Sequence, residues 1–244
     1  MAKYLPLRLS VKALNWRVYD DHSAEADAEF KNIRMRVLER DDRTCRFCGF
    51  RAPKWQEVHH LNDDHADNRP QNLVTACMFC HMCQHIGLAG HNNEAVLAYI
   101  PEIPQDRLHH IVRAILVAKK WSMDTAANRR SNAEMQRNAM VLGEAAVSIE
   151  AKLREREAVA KEMFGISDPS ELANILLAIN SESETAYDDR DSYLRGLRLL
   201  PLGVRKQDGG DKMPEIVASW SMAGGPFASL NPRSWASILS QYVA

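Results

Sequence analysis

Apolar positions recur with a helical period through most of the chain. Between residues 105 and 121, Leu108, Ile111, Val112, Ile115 and Leu116 share one face, and Pro101 and Pro104 fence the start of the helix they predict. An earlier helix is predicted over 24–39, with Ile33, Met35, Val37 and Leu38 as its apolar stripe. The longest helical stretch runs over 131–164. It begins polar, alternates charges through 152–157 and meets a C-terminal cap at Gly165. Asp168, Pro169 and Glu171 form a capped start for the next helix, whose core face is Leu172, Ile175, Leu176 and Ile179. No heptad is sustained, which excludes a coiled coil.

The region between the first two helices has a shorter rhythm. Residues 57–61 predict a short strand, 62–70 a polar loop, 72–75 a second short strand, and Cys77 onward a helix. Such a chain is α+β and mostly helical. From Asp208 the composition shifts to turn signals mixed with Trp220, Phe227, Trp235 and Tyr242. Those aromatics serve either as anchors for a partner or as cover for the protein's own core.

Chemistry concentrates in the strand region. All five cysteines lie between positions 45 and 83, as Cys45-x-x-Cys48 and Cys77-x-x-Cys80-x-x-Cys83. A two-residue gap lets both sulfurs of a knuckle turn onto one ion, and four such sulfurs make a closed structural zinc site. Cys45, Cys48, Cys77 and Cys80 are the expected ligands. A Cys80/Cys83 pair is the geometric alternative; otherwise Cys83 is a spare or redox-sensitive thiol one turn along the helix. Gly49 suits the tight turn after the first knuckle. Disulfides are not expected, because the cysteines are clustered rather than scattered.

Between the knuckles stand His59, His60 and Asn72, with His81 and His85 following on one helical face. An arginine- and leucine-rich helix, Cys-x-x-Cys, Val-His-His, Asn-Leu-Val and Cys-x-x-Cys-His in this order resemble the HNH endonuclease family over about residues 34–85. That resemblance implies a ββα-metal zinc module packed with flanking and C-terminal helices. It also implies roles. His60 is the general base toward an attacking water, and Asn72 orients the loop carrying it. His59 and His81 hold a second divalent metal such as Mg2+, with His85 as a further candidate. Asp63, Asp64 and Asp67 crowd the neighbouring loop, either as outer partners of that metal or as a solvated acidic loop.

The flanks carry a closer resemblance. Leu5-Pro6-Leu7-Arg8-Leu9, Arg36-Val37-Leu38-Glu39-Arg40-Asp41, Tyr99-Ile100-Pro101-Glu102-Ile103-Pro104 and Leu194-Arg195-Gly196-Leu197-Arg198 accompany the Cys-His block. Together they resemble the IcmJ (DotN) proteins of type IVB secretion systems, over roughly residues 5–203. The resemblance implies an intracellular, zinc-bound, HNH-like scaffold subunit. Its expected partners are the C-terminal region of the type IV coupling ATPase and secretion adaptors. Here the His-His pair, Asn72 and His81 are kept, so the alternative of an active HNH endonuclease stands beside the scaffold. A redox switch through Cys83 is a third, minor possibility.

Bulk properties narrow the choice. In 244 residues, Lys+Arg number 31 and Asp+Glu 32, for a net charge of −1. That balance does not favour a dedicated DNA binder, whose phosphate contacts need a basic excess. Locally, eight basic and three acidic residues lie from Lys31 to Lys54, which fits either a backbone-tracking surface or a solvated helix face. No apolar run is long enough to span a bilayer, and the first residues lack the apolar core of a secretory signal. The expected location is cytoplasmic, peripheral to the inner membrane through the secretion complex. The expected organisation is an HNH-like zinc-binding domain with an N-terminal arm (1–125), a helical region (126–206) and a C-terminal extension (207–244).

Overall fold

The computed structural model describes residues 4–11, 24–64, 66–229, 232 and 235. Its elements begin with α1 (Ala24–Arg40), β1 (Gln56–His60), β2 (Leu73–Cys77) and α2 (Met78–Gln84). β1 and β2 form an antiparallel hairpin in which Gln56 faces Cys77 and His60 faces Leu73. The helix α2 starts directly at the end of β2, so the strand–strand–helix order expected from the short apolar runs is present. A short helix α3 (Ile86–His91) follows at once.

The hairpin is fastened to α1 by packing and by arginine. Val37 and Leu38 bury against Val58 and Leu73, the strand residues on the hairpin face turned toward α1. Arg34 donates to the Gln56 carbonyl at 2.7 Å, and Arg40 donates to the carbonyls of Pro70 and Leu73 at 2.6 and 2.8 Å. Both arginines satisfy carbonyls of the protein itself, and Arg40 remains exposed on its helix face. Asp41 sits at the centre of this joint. Its carboxylate accepts both forks of Arg40 at 2.9 Å and the Thr75 N–H at 2.9 Å. Burial alone would raise the Asp41 carboxyl; the Arg40 pair and the Thr75 amide outweigh it and hold the group below its ordinary value.

A lowered folded value means that Asp41 stabilises the protein above its unfolded pKa of 3.8, and that this contribution fades as pH falls through the folded value. Asp41→Ala leaves the buried Thr75 amide without its acceptor and Arg40 with only its backbone carbonyls, at a cost of about 1–3 kcal/mol. Urea unfolding at pH 7 and pH 3 is expected to show a large deficit for the variant at pH 7 and a smaller one at pH 3. An equal deficit at both pH values would remove the charge-assisted account of this joint.

The helical part wraps a second small sheet. β3 (Ala95–Tyr99) pairs antiparallel with β4 (Leu197–Pro201), joining segments separated by three long helices. These are α4 (Gln105–Ala127), α5 (Ala133–Phe164) and α6 (Pro169–Glu182). Gly165 and Asp168 stand at the ends expected of them, whereas α4 runs past 121 to Ala127. Asn132 caps α5 by accepting from the Met135 amide, Gly165 closes it with φ 78, and Asp168 caps α6 by accepting from the Ser170 amide. Leu97, Ala98 and Leu199 are fully buried, so both strands lie within the core. Short helices α7 (Glu184–Asp188) and α8 (Arg190–Tyr193) lead back to β4.

After β4 come a two-residue hairpin, β5 (Lys206–Gln207) with β6 (Gly210–Asp211), and helix α9 (Met213–Ser221). α9 packs on α4 and inserts Trp220, only 2% exposed, edge-on against Phe50 and Phe79. Phe227 and Trp235 also pack against the core and against each other. Of the aromatics considered as partner anchors, these three cover the protein itself. Tyr242 lies outside the described residues. The main apolar core draws on residues from Leu9 to Trp220 and therefore on all three expected regions.

Candidate metal centres

The first knuckle is a backbone device. The Cys45 amide donates to the Phe50 carbonyl and the Gly49 amide to the Cys45 carbonyl, each at 2.9 Å. Gly49 adopts φ 75, and a Cβ there would lie within contact of the Tyr4 ring, so the turn needs glycine for both reasons. The second knuckle spans the junction of β2 and α2: Cys77 ends the strand and caps the helix, and Cys80 lies in the first helical turn. The four sulfurs of Cys45, Cys48, Cys77 and Cys80 come within 4.8 Å of one another, all buried.

The distances suit a metal and not a disulfide. Cys48 Sγ and Cys77 Sγ are 3.7 Å apart, where a disulfide needs about 2.05 Å. The edge of a tetrahedron with metal–sulfur bonds of about 2.3 Å is about 3.8 Å.

A cation in the second layer supports the same conclusion. Arg113 of α4 is fully buried, and its Nη2 points at Cys77 Sγ from 2.7 Å. Its guanidinium stacks over Phe50 at 4.0 Å from the ring centroid, while Nε and Nη1 have no hydrogen-bond partner among the described residues. An arginine cannot shed its proton, so a buried guanidinium needs negative charge beside it. Four thiolates around a divalent ion would carry a net charge of −2 and would supply it. The donor set is soft, as the metals that favour sulfur require.

Two histidines complete this layer. His109 is fully buried, with Nδ1 3.4 Å from Cys80 Sγ and Nε2 receiving the Gln105 amide at 2.8 Å. Burial pushes it down to about 3, and the Arg113 charge adds to the effect, so it is neutral. His110 Nε2 lies 3.0 Å from the Cys48 carbonyl. Cys83 stands outside the four-sulfur group, 3.7 Å from His109 Nε2. It is fully buried and burial pushes its thiol up, which suits the spare thiol rather than the redox-sensitive one: reactivity requires an accessible thiolate.

The second cluster joins His59 of β1 to His81 and His85 at the end of α2. One nitrogen from each comes within 4.8 Å of the others, and the ring centroids stand 4.7–5.5 Å apart. Strand alternation places Glu57 on the same side as His59. Its Oε2 lies 2.5 Å from His81 Nδ1, which orients the ring and leaves Nε2 as the ligand atom. Its Oε1 accepts from Arg205, whose other fork reaches Glu94 at 3.0 Å. Burial would raise the Glu57 carboxyl; Arg205 and His81 prevail and hold it at about 2.

The same alternation turns His60 away from this cluster and toward the 62–70 loop, where its Nε2 lies 3.1 Å from Asn68 Oδ1. Burial lowers its pKa. Asn72 is buried and ties the loop at two points, donating to Asn62 Oδ1 at 2.7 Å and to the Asp67 carbonyl at 2.9 Å. Asp67 engages Arg69 and Asn62, and Asp64 accepts from the Ala66 amide. These carboxylates are occupied in shaping the loop.

Two clusters on one ββα unit, one soft and closed and one of histidine, set the frame for comparison with known proteins. Over 200 residues the chain is 28% identical to the type 4 apparatus protein DotN of Legionella pneumophila, covering 80% of this chain and 83% of that protein. The chain is similar to DotN over most of its length. No family model matches it. Among the described residues, no helix is long and apolar enough to cross a membrane.

DotN is named as a type 4 apparatus protein. Several residues that shape the two clusters escape a reading of the motif alone. Glu57 is detectable in principle, two positions before His59 on a strand. His109 and Arg113 are four apart on a helix, which places them on one face but does not say what that face meets. Arg205 and Glu94 have no local signal at all.

Proposed function

We propose that the chain is a zinc-stabilised, HNH-like scaffold subunit of a type IV secretion coupling complex, of the IVB or a related conjugative kind, docking on the C-terminal region of the coupling ATPase. The likeness to DotN along four-fifths of the chain carries this reading. Zinc is the proposed ion because four buried cysteine sulfurs close together would fill its tetrahedral coordination and leave no position for substrate, the mark of a structural site. The near-neutral net charge of −1 also suits a protein partner better than nucleic acid. The proposed location is the cytoplasmic face of the inner membrane, with secretion adaptors as neighbours. Co-purification of the full chain with the coupling ATPase's C-terminal region tests the reading. Stoichiometric capture that is lost in Cys77→Ser supports it, and failure to capture by zinc-loaded protein opposes it.

A second reading has its own observation. His59, His81 and His85 converge with Glu57 behind His81, which is more than an ion-free scaffold requires. In an HNH endonuclease, His60 takes the proton from an attacking water while Asn72 holds its loop in place. His59, His81 and His85 would hold a divalent ion, which would supply positive charge beside the scissile phosphate. Plasmid cleavage with Mg2+, Mn2+ or Ni2+, beside His60→Ala, separates the two. Cleavage by the parent and none by the variant makes the protein a nuclease. The scaffold reading expects no cleavage with any of the three.

A further inference from the structure

We propose that Arg205 is a positioning residue for the three-histidine cluster, acting through Glu57, so that the segment after β4 forms part of that site. The inference rests on a metal binding at His59, His81 and His85, as the second reading requires, but not on nuclease activity.

The two oxygens of Glu57 face different tasks. One meets His81 Nδ1 and fixes which nitrogen carries the proton. The other meets the Arg205 guanidinium. Glu94, 1% exposed, brings a second carboxylate to the same place. Two carboxylates sharing a largely buried pocket repel each other unless one cation answers both. Arginine suits that position better than lysine, since its planar fork presents separate N–H groups to separate acceptors.

The guanidinium is itself held firmly. The Arg205 amide donates to Asp211 Oδ1 at 2.9 Å, and its carbonyl accepts from the Lys212 amide at 2.8 Å. The next amide, Lys206, donates to Glu94 Oε1 at 2.6 Å. The β5–β6 hairpin therefore presents Arg205 at a fixed place, Arg205 fixes Glu57, and Glu57 fixes His81. A merely structural ion pair would hold the segment down without influencing the histidines. The bond from Glu57 to His81 is what makes the chain of contacts reach a ligand atom.

The test is a Co2+ titration of zinc-loaded, full-length protein, followed by visible absorption and calorimetry. The parent is expected to bind one Co2+ beyond its zinc, with that binding lost in His85→Ala. Arg205→Leu is expected to weaken Co2+ binding roughly 10- to 100-fold, the usual effect of losing an outer partner, with zinc content unchanged. Arg205→Lys, which keeps the charge but serves one carboxylate, is expected to fall between the two. Parent-like Co2+ affinity and spectrum in Arg205→Leu would overturn the proposal. If Arg205→Leu fails to fold, unchanged affinity in Arg205→Lys overturns it instead. Absence of any second Co2+ in the parent would overturn the histidine site and this inference together, a result distinct from either variant outcome.

Discussion

Stripping the metal from the four-sulfur cluster is expected to unfold the hairpin and its knuckles and to loosen α4 and α9 above them. A structural zinc contributes an apparent 10–16 kcal/mol, roughly, to small zinc-folded peptides, while a whole domain is stable by only about 5–15 kcal/mol. The metal term is therefore as large as the total. The reach of the effect follows from packing. Phe50 follows the first knuckle, Phe79 lies within the second, and Trp220 stacks edge-on against both. Tryptophan fluorescence and circular dichroism during chelation should change together, and Cys77→Ser should reproduce the chelated state without chelator. A parent protein with no bound metal, melting identically with and without chelator, would refute the account of this centre.

Arg113→Met tests the charge state of the same cluster from the other side. If the sulfurs are thiolates around a divalent ion, Arg113 is one half of a buried ion pair. Removing one half of such a pair costs about 3–5 kcal/mol. For a chain of this size that is a fall in Tm of roughly 10 °C. If the sulfurs are neutral thiols, Arg113 is a buried charge with two unpartnered nitrogens, and methionine should be neutral or stabilising. The two cases differ in sign. A single thermal melt of the variant decides between them, and retention of zinc measured alongside shows whether the arginine also holds the metal.

What was legible in the sequence was what local spacing encodes. A Cys-x-x-Cys pair specifies its own turn, and Gly49 adopts the left-handed conformation expected of it. The helix ends at Gly165 and Asp168 were legible because caps are chemical features of one or two residues. The histidines were legible because His59 belongs to a recognisable strand, and His81 and His85 lie four apart on a helix.

The rest depends on contacts that no local pattern carries. β3 and β4 pair across three helices, and their sequences, AVLAY and LRLLP, are mostly buried and lack the alternation that marks a half-exposed strand. Helix α4 runs to Ala127 rather than ending near 121, since nothing in residues 121–127 breaks a helix. The region after 207 suggested a loose tail because turn signals such as Asp208-Gly209-Gly210 and Gly224-Gly225-Pro226 punctuate it. Trp220, Phe227 and Trp235 nonetheless find the core, and α9 forms where Pro214 can open a first turn. No local pattern marks Arg113 or Arg205; only the fold places one against sulfur and the other between two carboxylates.

The most direct test of the central claim is a calorimetric titration of the full-length, zinc-loaded protein with the C-terminal region of its coupling ATPase. The scaffold account predicts saturable one-to-one binding that disappears when the zinc is removed and returns when it is restored. Absence of binding by zinc-loaded protein, together with His60-dependent plasmid cleavage by the same preparation, would contradict it.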